Sequence, residues 1–236
     1  MLQTVSLLTL LCLPAFAAKF PPEKLLQMAN SGDAQAQDKL GMWYDDNGNG
    51  KAAVQWYRKA AAQGYSGALH HMGVMLEGGA EASGVEPDCL ASRDYYQKAI
   101  EKGISASTFR VGYQYYRGIC VSQSYTQARD WFEKSETAMG LFYNGLMNEH
   151  GQGGPVNLAS AERLYEQAFR GGVIRAANQL GHLYYDGSTR DAVKAYIWYL
   201  RGAKAADKQD RMRLVSLRRE LSVDERRRAE REAKSP

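Results

Sequence analysis

The hydrophobic and polar positions of this chain follow a helical period, and the pattern recurs five times between residues 34 and 208. Each unit has a first segment containing a glycine, a polar loop, and a second segment containing a large apolar pair. The glycines are Gly41, Gly73, Gly112, Gly145 and Gly181. The pairs are Trp56-Tyr57, Tyr95-Tyr96, Trp131-Phe132, Leu164-Tyr165 and Trp198-Tyr199. Spacing of this kind predicts stacked helix pairs, because one pair is too small to bury its own apolar face.

Small residues stand beside large ones on the faces that these helices would bury. A small residue lies five positions before each glycine, and another follows the apolar pair. Glycine inside a helix is roughly 1 kcal/mol less favourable than alanine, so its recurrence indicates a repeated close approach of two helices. The second helices of units one, two and four are predicted to end in the left-handed conformation at Gly64, Gly103 and Gly172.

The loops between the two helices of a unit vary in length. The longest, residues 77–88, is polar and rich in glycine, and it is predicted to face solvent. Residues 18–33 match only the second half of a unit and are predicted to form a leading half-repeat that caps the open end.

Residues 209–236 depart from the repeat. Ser222 and Glu225 have capping-box spacing, which predicts a capping helix from Asp224 to about Ala233. The region is basic, since residues 201–236 hold 12 Lys or Arg against 7 Asp or Glu in a chain of net charge +4. A solvated capping helix is favoured over a surface that binds phospholipid or nucleic acid.

The first residues have the pattern of a secretory signal peptide, although no Lys or Arg precedes their apolar run. The run from Val5 to Leu13 is too short to span a membrane, and Ala15-Phe16-Ala17 fits a small-residue cleavage site. Residues 1–17 are therefore predicted to be removed, leaving the protein periplasmic or secreted. Leu11 before Cys12 does not fit a lipobox, so no lipid anchor is expected.

The unit resembles the Sel1-like repeat, a relative of the tetratricopeptide repeat. The first unit reads Leu40-Gly41-x-x-Tyr44, then Ala53-x-x-Trp56-Tyr57-x-Lys59-Ala60-Ala61-x-x-Gly64, and the resemblance covers roughly residues 34–206. It implies an all-α, right-handed α-solenoid of antiparallel helix pairs that serves as a scaffold or adaptor for proteins and peptides. Exported bacterial members resemble envelope scaffolds.

Three hypotheses for the function follow. The first is an exported scaffold that holds a protein or peptide in its concave face, with Tyr113, Tyr116 and Tyr185 as candidate contacts because they lie off the main buried phase. The second is an envelope hydrolase of the cell-wall or β-lactam class, which turnover of nitrocefin would reveal. The third is a structural spacer, which would capture no selective partner. No nucleic acid partner and no membrane span after leader cleavage are expected.

No cofactor, catalytic group or metal site is predicted. Residues 45–50 match the first half of an EF-hand loop, but Trp56 replaces the bidentate glutamate at its twelfth position, so a tight turn between helices is favoured over calcium. The four histidines lack the spacing of metal ligands.

Cys89 and Cys120 are candidates for a disulfide. Cys89 lies at the predicted start of one second helix, and Cys120 lies in the loop of the following unit. Stacking brings these places to the same edge of the array, although two half-buried thiols remain the alternative. A bridge would require Cα atoms within about 7 Å of each other.

Overall fold

The computed structural model describes residues 21–78, 85–187 and 190–235, and within those ranges all regular secondary structure is helical. The predicted leader, residues 1–17, lies outside the described residues. The helices are α1 Glu23–Asn30, α2 Ala34–Asp46, α3 Gly50–Ala62, α4 Ser66–Gly78, α5 Cys89–Glu101, α6 Ser105–Arg117, α7 Tyr125–Ser135, α8 Ala138–His150, α9 Leu158–Arg170, α10 Arg175–Asp186, α11 Ala192–Arg201, α12 Lys208–Glu220 and α13 Val223–Ala233. Of these helices, none has the length and apolar character needed to cross a bilayer.

Consecutive helices form five antiparallel pairs, which are α2/α3, α4/α5, α6/α7, α8/α9 and α10/α11. Each pair also packs against the next pair along the chain. The predicted fold class, an all-α solenoid of helix pairs, is therefore confirmed. Helix α1 covers the N-terminal end, where Ala29 packs against Ala36 and Leu40 of α2.

The repeat glycines mark where the two helices of a pair approach most closely. A Cβ atom built on any of them would lie 2.5 to 2.8 Å from the ring of the second residue of the apolar pair. The contacts are Gly41 with Tyr57, Gly73 with Tyr96, Gly112 with Phe132, Gly145 with Tyr165 and Gly181 with Tyr199. All five rings are buried, so each ring lies flat on a surface that only glycine leaves open.

The second helices end as predicted at Gly64, Gly103 and Gly172, which have φ values of +72°, +80° and +93°. The third unit lacks this glycine, and Glu136 takes the left-handed conformation in its place with φ +52°. Helix α7 therefore ends at Ser135. Two residues later, Thr137 caps α8 by accepting a hydrogen bond from the Gly140 amide at 3.0 Å.

Two further helices, α12 and α13, close the C-terminal end, and both pack against α11. The predicted capping helix is α13, which starts at Val223, and the expected capping box between Ser222 and Glu225 is present. Helix α12 precedes it and lies where the first helix of a sixth repeat would lie. It joins α10 through His182 Nε2 and Asp210 Oδ1, 2.6 Å apart, while α13 packs against α11.

The first helices of successive repeats contact one another, so α2, α4, α6, α8, α10 and α12 share one side of the array, which we call the first-helix face. The side chains that join them are Asp38 with His71, His70 with Ser107, Tyr113 with Tyr143, Phe142 with Arg175, and His182 with Asp210. A ligand on this face can therefore touch several repeats at once.

Candidate partner-binding surface

A cluster of half-buried aromatic rings lies at the middle of the array, where α6, α7 and α8 meet. We call it the aromatic patch, and it consists of Phe109, Tyr113, Tyr116, Tyr125 and Tyr143. The ring of Tyr143 is 5.3 Å from the rings of both Tyr113 and Tyr116 and 5.8 Å from that of Phe109, measured between centroids. The buried ring of Phe132 lies beneath them, 5.5 Å from Tyr143.

The patch also contains tyrosine hydroxyl groups, two of which are partly buried with raised pKa values. Burial raises the pKa values of Tyr116 and Tyr143 above the ordinary value of 10, so both phenols stay protonated at any physiological pH. Gln123 Nε2 donates to the carbonyl oxygen of Tyr116 at 2.9 Å and to the hydroxyl of Tyr125 at 3.3 Å. The patch thus combines apolar rings with polar hydroxyl groups, as sites for protein ligands commonly do.

The structure brings two of the three predicted contact residues together. Tyr113 and Tyr116 are 6.4 Å apart within the patch. Tyr185 lies on α10, where its ring packs 6.4 Å from Tyr199 and beneath the guanidinium groups of Arg190 and Arg213. No ring contact among the described residues connects Tyr185 to the patch.

Tyr143 and Phe109 belong to the patch but were not singled out from the sequence. Tyr143 stands two positions before Gly145, whereas Tyr113 and Tyr116 stand one and four positions after Gly112. Positions separated by three residues share a helix face, so the offsets −2, +1 and +4 from the glycine all project to the same side. Comparing these offsets across neighbouring repeats would have found Tyr143.

Repeats two and four each contain a buried polar pair that repeat three lacks. In repeat two, the buried Tyr96 hydroxyl donates to Glu77 Oε2 at 2.9 Å. In repeat four, Tyr165 donates to Glu149 Oε2 at 2.6 Å. Both acids stand four positions after the repeat glycine, where repeat three has Tyr116.

The ring of repeat three is Phe132, which has no hydroxyl and requires no acceptor. The position four after the glycine therefore needs no carboxylate in this repeat, and it carries Tyr116. Glu77 also corrects one sequence expectation, because it was assigned to a solvent-facing loop. It is buried at the end of α4 and forms an ion pair with Arg110 at 2.9 Å, while residues 79–84 of that loop lie outside the described residues.

A polar cluster next to the patch contains a serine and a histidine in contact. His70 Nδ1 lies 2.8 Å from Ser107 Oγ, and His71 Nδ1 lies 2.8 Å from Asp38 Oδ1. Burial, with smaller contributions from His71 and Arg110, lowers the pKa of His70 from 6.5 to about 4. Ser107 has no exposed surface. A serine that is fully buried cannot reach a substrate, so this contact joins α4 to α6 rather than forming a nucleophile and base.

The segment that resembles half an EF-hand forms the predicted turn between α2 and α3. Its Asn49 side chain accepts a hydrogen bond from the Ala52 amide at 3.2 Å and caps α3. Across residues 21–78, 85–187 and 190–235, no group of three or more His, Cys, Asp or Glu side chains is arranged to hold a metal ion.

A disulfide links repeats two and three. It joins Cys89, the first residue of α5, to Cys120 in the loop between α6 and α7, and the two Cα atoms are 5.1 Å apart. Cys120 adopts a positive φ of 63°. The bridge lies at the C-terminal end of α6, the helix that carries Tyr113 and Tyr116, and thereby ties this end of the helix to the preceding repeat.

Comparison with known families gives five consecutive matches to the model described as Sel1 repeat, at residues 34–65, 66–104, 105–138, 136–173 and 174–207. No curated protein matches the chain.

Solved structures with the same architecture include a protective antigen present in uropathogenic Escherichia coli strains that displays an SLR fold. It is 28% identical with a TM-score of 0.71, and the match covers 83% of this chain and 43% of the antigen, so the chain spans less than half of that protein. A Sel1 repeat protein from Oxalobacter formigenes is 25% identical with a TM-score of 0.64 and 79% coverage of each chain. A putative sel1 repeat protein from Klebsiella pneumoniae subsp. pneumoniae shares the fold at 19% identity, with a TM-score of 0.55 and coverage of 83% and 98%.

Proposed function

The chain belongs to the Sel1 repeat family, and from this premise we propose that it is an exported scaffold that holds a protein or peptide segment against the aromatic patch. Sel1 repeat solenoids commonly mediate protein–protein interaction, and the family is generally non-catalytic. To this general role, the proposal adds the aromatic patch as the contact surface and the periplasm or the medium as the compartment. The leader pattern of residues 1–17 supports export to the periplasm or beyond.

The observation that carries the proposal is the aromatic patch itself. Four of its rings, Phe109, Tyr113, Tyr116 and Tyr143, come from the successive first helices α6 and α8, and Tyr125 comes from α7 between them. Tyrosine presents a large and rigid contact surface with only two side-chain torsions to fix, so binding through it loses little conformational entropy. A partner segment that inserts an apolar side chain among Tyr113, Tyr116 and Tyr143 would also find hydroxyl groups for its backbone.

Crosslinking in living cells tests the proposal. A photoreactive phenylalanine replaces Tyr116 in one strain and Tyr95 in another, because Tyr95 is an equally half-buried aromatic residue on a second helix. We expect position 116 to yield one or a few protein adducts that mass spectrometry identifies and that position 95 does not yield. A further Tyr143→Ala substitution should reduce the adducts from position 116.

Two results would contradict this function. Identical adducts from both positions would mean that the patch is not selective. The absence of adducts at position 116 from correctly folded protein would favour a structural spacer. Melting curves of the purified variants, compared with the wild type, separate loss of binding from loss of folding.

A further inference from the structure

The outer side of α12 carries an apolar strip between positive charges. The side chains of Met212 and Val215 are 64% and 51% exposed, and with Lys208, Arg211 and Arg219 they form what we call the C-terminal strip. A groove of about 470 Å3 runs along it. A second groove of about 440 Å3 lies on the other side of Val215, between α12 and the neighbouring helices α11 and α13.

The position of α12 in the array indicates what shape fits this strip. Inside the array, side chains join each first helix to the first helix of the next repeat, and α12 is joined to α10 in this way. In the described part of the chain, no helix follows to cover α12 in turn. Two exposed apolar side chains between two grooves suit the ridges of one packed helix.

The charges indicate the chemistry of that helix. The junctions between first helices include ion pairs, such as Arg110 with Glu77 and Arg213 with Asp186. Within the described residues, Lys208, Arg211 and Arg219 form no ion pair, and Arg211 donates only to the carbonyl oxygen of Ala206. A helix that lies on the strip would therefore place carboxylates opposite these three cations.

We propose that the C-terminal strip is a docking surface for an acidic amphipathic helix of a partner protein, which packs along α12 as the next first helix would. The strip fits a helix better than a membrane, because its two apolar side chains are flanked by grooves and do not form a broad apolar face. Residues 1–20 of the chain contain no Asp or Glu and do not match its charge. The surface is separate from the aromatic patch, so either can fail without the other.

Fluorescence anisotropy with a defined probe tests the proposal. The probe is a labelled synthetic peptide of about 18 residues, or five helical turns, with leucines on one face, glutamates beside them and alanines elsewhere. A second peptide has lysine in place of every glutamate. We expect the full-length mature protein to bind the glutamate peptide, to bind it more weakly as the salt concentration rises, and not to bind the lysine peptide.

Matched charge reversals locate the binding. The double variant R211E/R219E should weaken binding of the glutamate peptide by about tenfold or more, because charge reversal places like charges in contact. The variant R227E/R231E makes the same change in net charge on exposed positions of α13 and should stay within about twofold of the wild type. The variant M212S/V215S should also weaken binding, and Y143A in the aromatic patch should not.

Three results would overturn the proposal. The first is equal loss of binding in both charge-reversed variants, since this would show attraction by net charge alone. The second is retention of full affinity by R211E/R219E. The third is binding to vesicles of phosphatidylglycerol and phosphatidylcholine, lost in R211E/R219E, without binding to the peptide, which would assign the strip to a membrane surface. If R211E/R219E melts at a lower temperature, R211Q/R219Q replaces it, with the same expected direction.

Discussion

The repeat glycine and the ring that covers it show how strongly one position constrains this fold. The sequence predicted a close approach at Gly112 from its spacing alone, and the structure finds Phe132 there. Spacing did not tell which residue of the pair makes the contact, because Trp131 and Phe132 are both aromatic. It also could not show that Tyr96 and Tyr165 each require an acid, since that depends on the direction of a hydroxyl group inside the core.

Replacing Gly112 with alanine should destabilise the protein. The new Cβ atom would lie 2.8 Å from Phe132 Cδ1, and overpacking of this kind reduces the free energy of unfolding by about 1–3 kcal/mol. Gly78→Ala is the control, because nothing lies within 4 Å of its Cβ position. Urea denaturation measures both variants. Equal stability of the two would mean that the ring moves aside without penalty.

His70 should make stability depend on pH between 6.5 and 4. Its pKa is lowered to about 4 by burial, so across this range the unfolded chain binds a proton that the folded protein does not. The free energy of unfolding therefore falls as the pH falls, by roughly 2 kcal/mol at pH 5 relative to pH 7. Urea denaturation of wild type and His70→Gln at both pH values measures this. The variant should lose less stability than the wild type, and equal losses would contradict the assignment.

Replacing Phe132 with tyrosine should destabilise repeat three. The ring is buried, and the position that supplies an acid to Tyr96 and Tyr165 holds Tyr116 in this repeat. A buried hydroxyl group without an acceptor reduces the free energy of unfolding by about 1–3 kcal/mol. Thermal and urea denaturation measure the change. Unaltered stability would show that another group, such as the Tyr116 hydroxyl, accepts the hydrogen bond.

At the scale of helices, the sequence predicted where three of the second helices end. Gly64, Gly103 and Gly172 end their helices as expected because glycine adopts positive φ without strain. The end of α7 was not predicted, since Glu136 takes the same conformation without being glycine. The sequence also did not predict that Glu77 at the end of α4 is buried. Its burial depends on its partners Tyr96 on α5 and Arg110 on α6, which the sequence does not identify.

The disulfide between Cys89 and Cys120 should stabilise these elements in protein isolated from an oxidising compartment. It closes a loop with a sequence separation of 31 residues, and the chain-entropy model gives about 3–4 kcal/mol for a loop of that size. The double variant C89S/C120S should lower the melting temperature accordingly, and reduction of the wild type should match it. Intact mass after alkylation without reductant provides the direct check. Uptake of two alkyl groups by the native protein would show free thiols.

At the scale of the whole molecule, the repeat period was enough to predict the architecture, because each pair of helices packs against the next pair along the described chain. The C-terminal end of the array was harder to predict from the sequence. Residues 209–236 depart from the repeat, yet both helices of this region pack against α11, the last helix of the fifth repeat. The aromatic patch was predicted in part, since it is built from two repeats and its composition depends on how they are stacked.

Export is the prediction that concerns the whole chain. If the leader is removed at its small-residue site, Edman sequencing of the mature protein should begin at Ala18 or within a residue or two of it. Fractionation should place this form in the periplasm or the medium. An intact Met1 terminus on protein from the cytoplasm would contradict the prediction, and with it the compartment proposed for the scaffold.

The disulfide also determines how this chain can be recombined. The Tyr–Glu pairs lie inside single repeats, so repeat four carries its own pair wherever it is inserted in a chimaera. Cys89 belongs to repeat two and Cys120 to repeat three, as do the two partners of the Glu77–Arg110 ion pair. Repeats two and three must therefore be exchanged together. A deletion or duplication that cuts between them would leave one unpaired cysteine on each side of the junction and would separate Glu77 from Arg110.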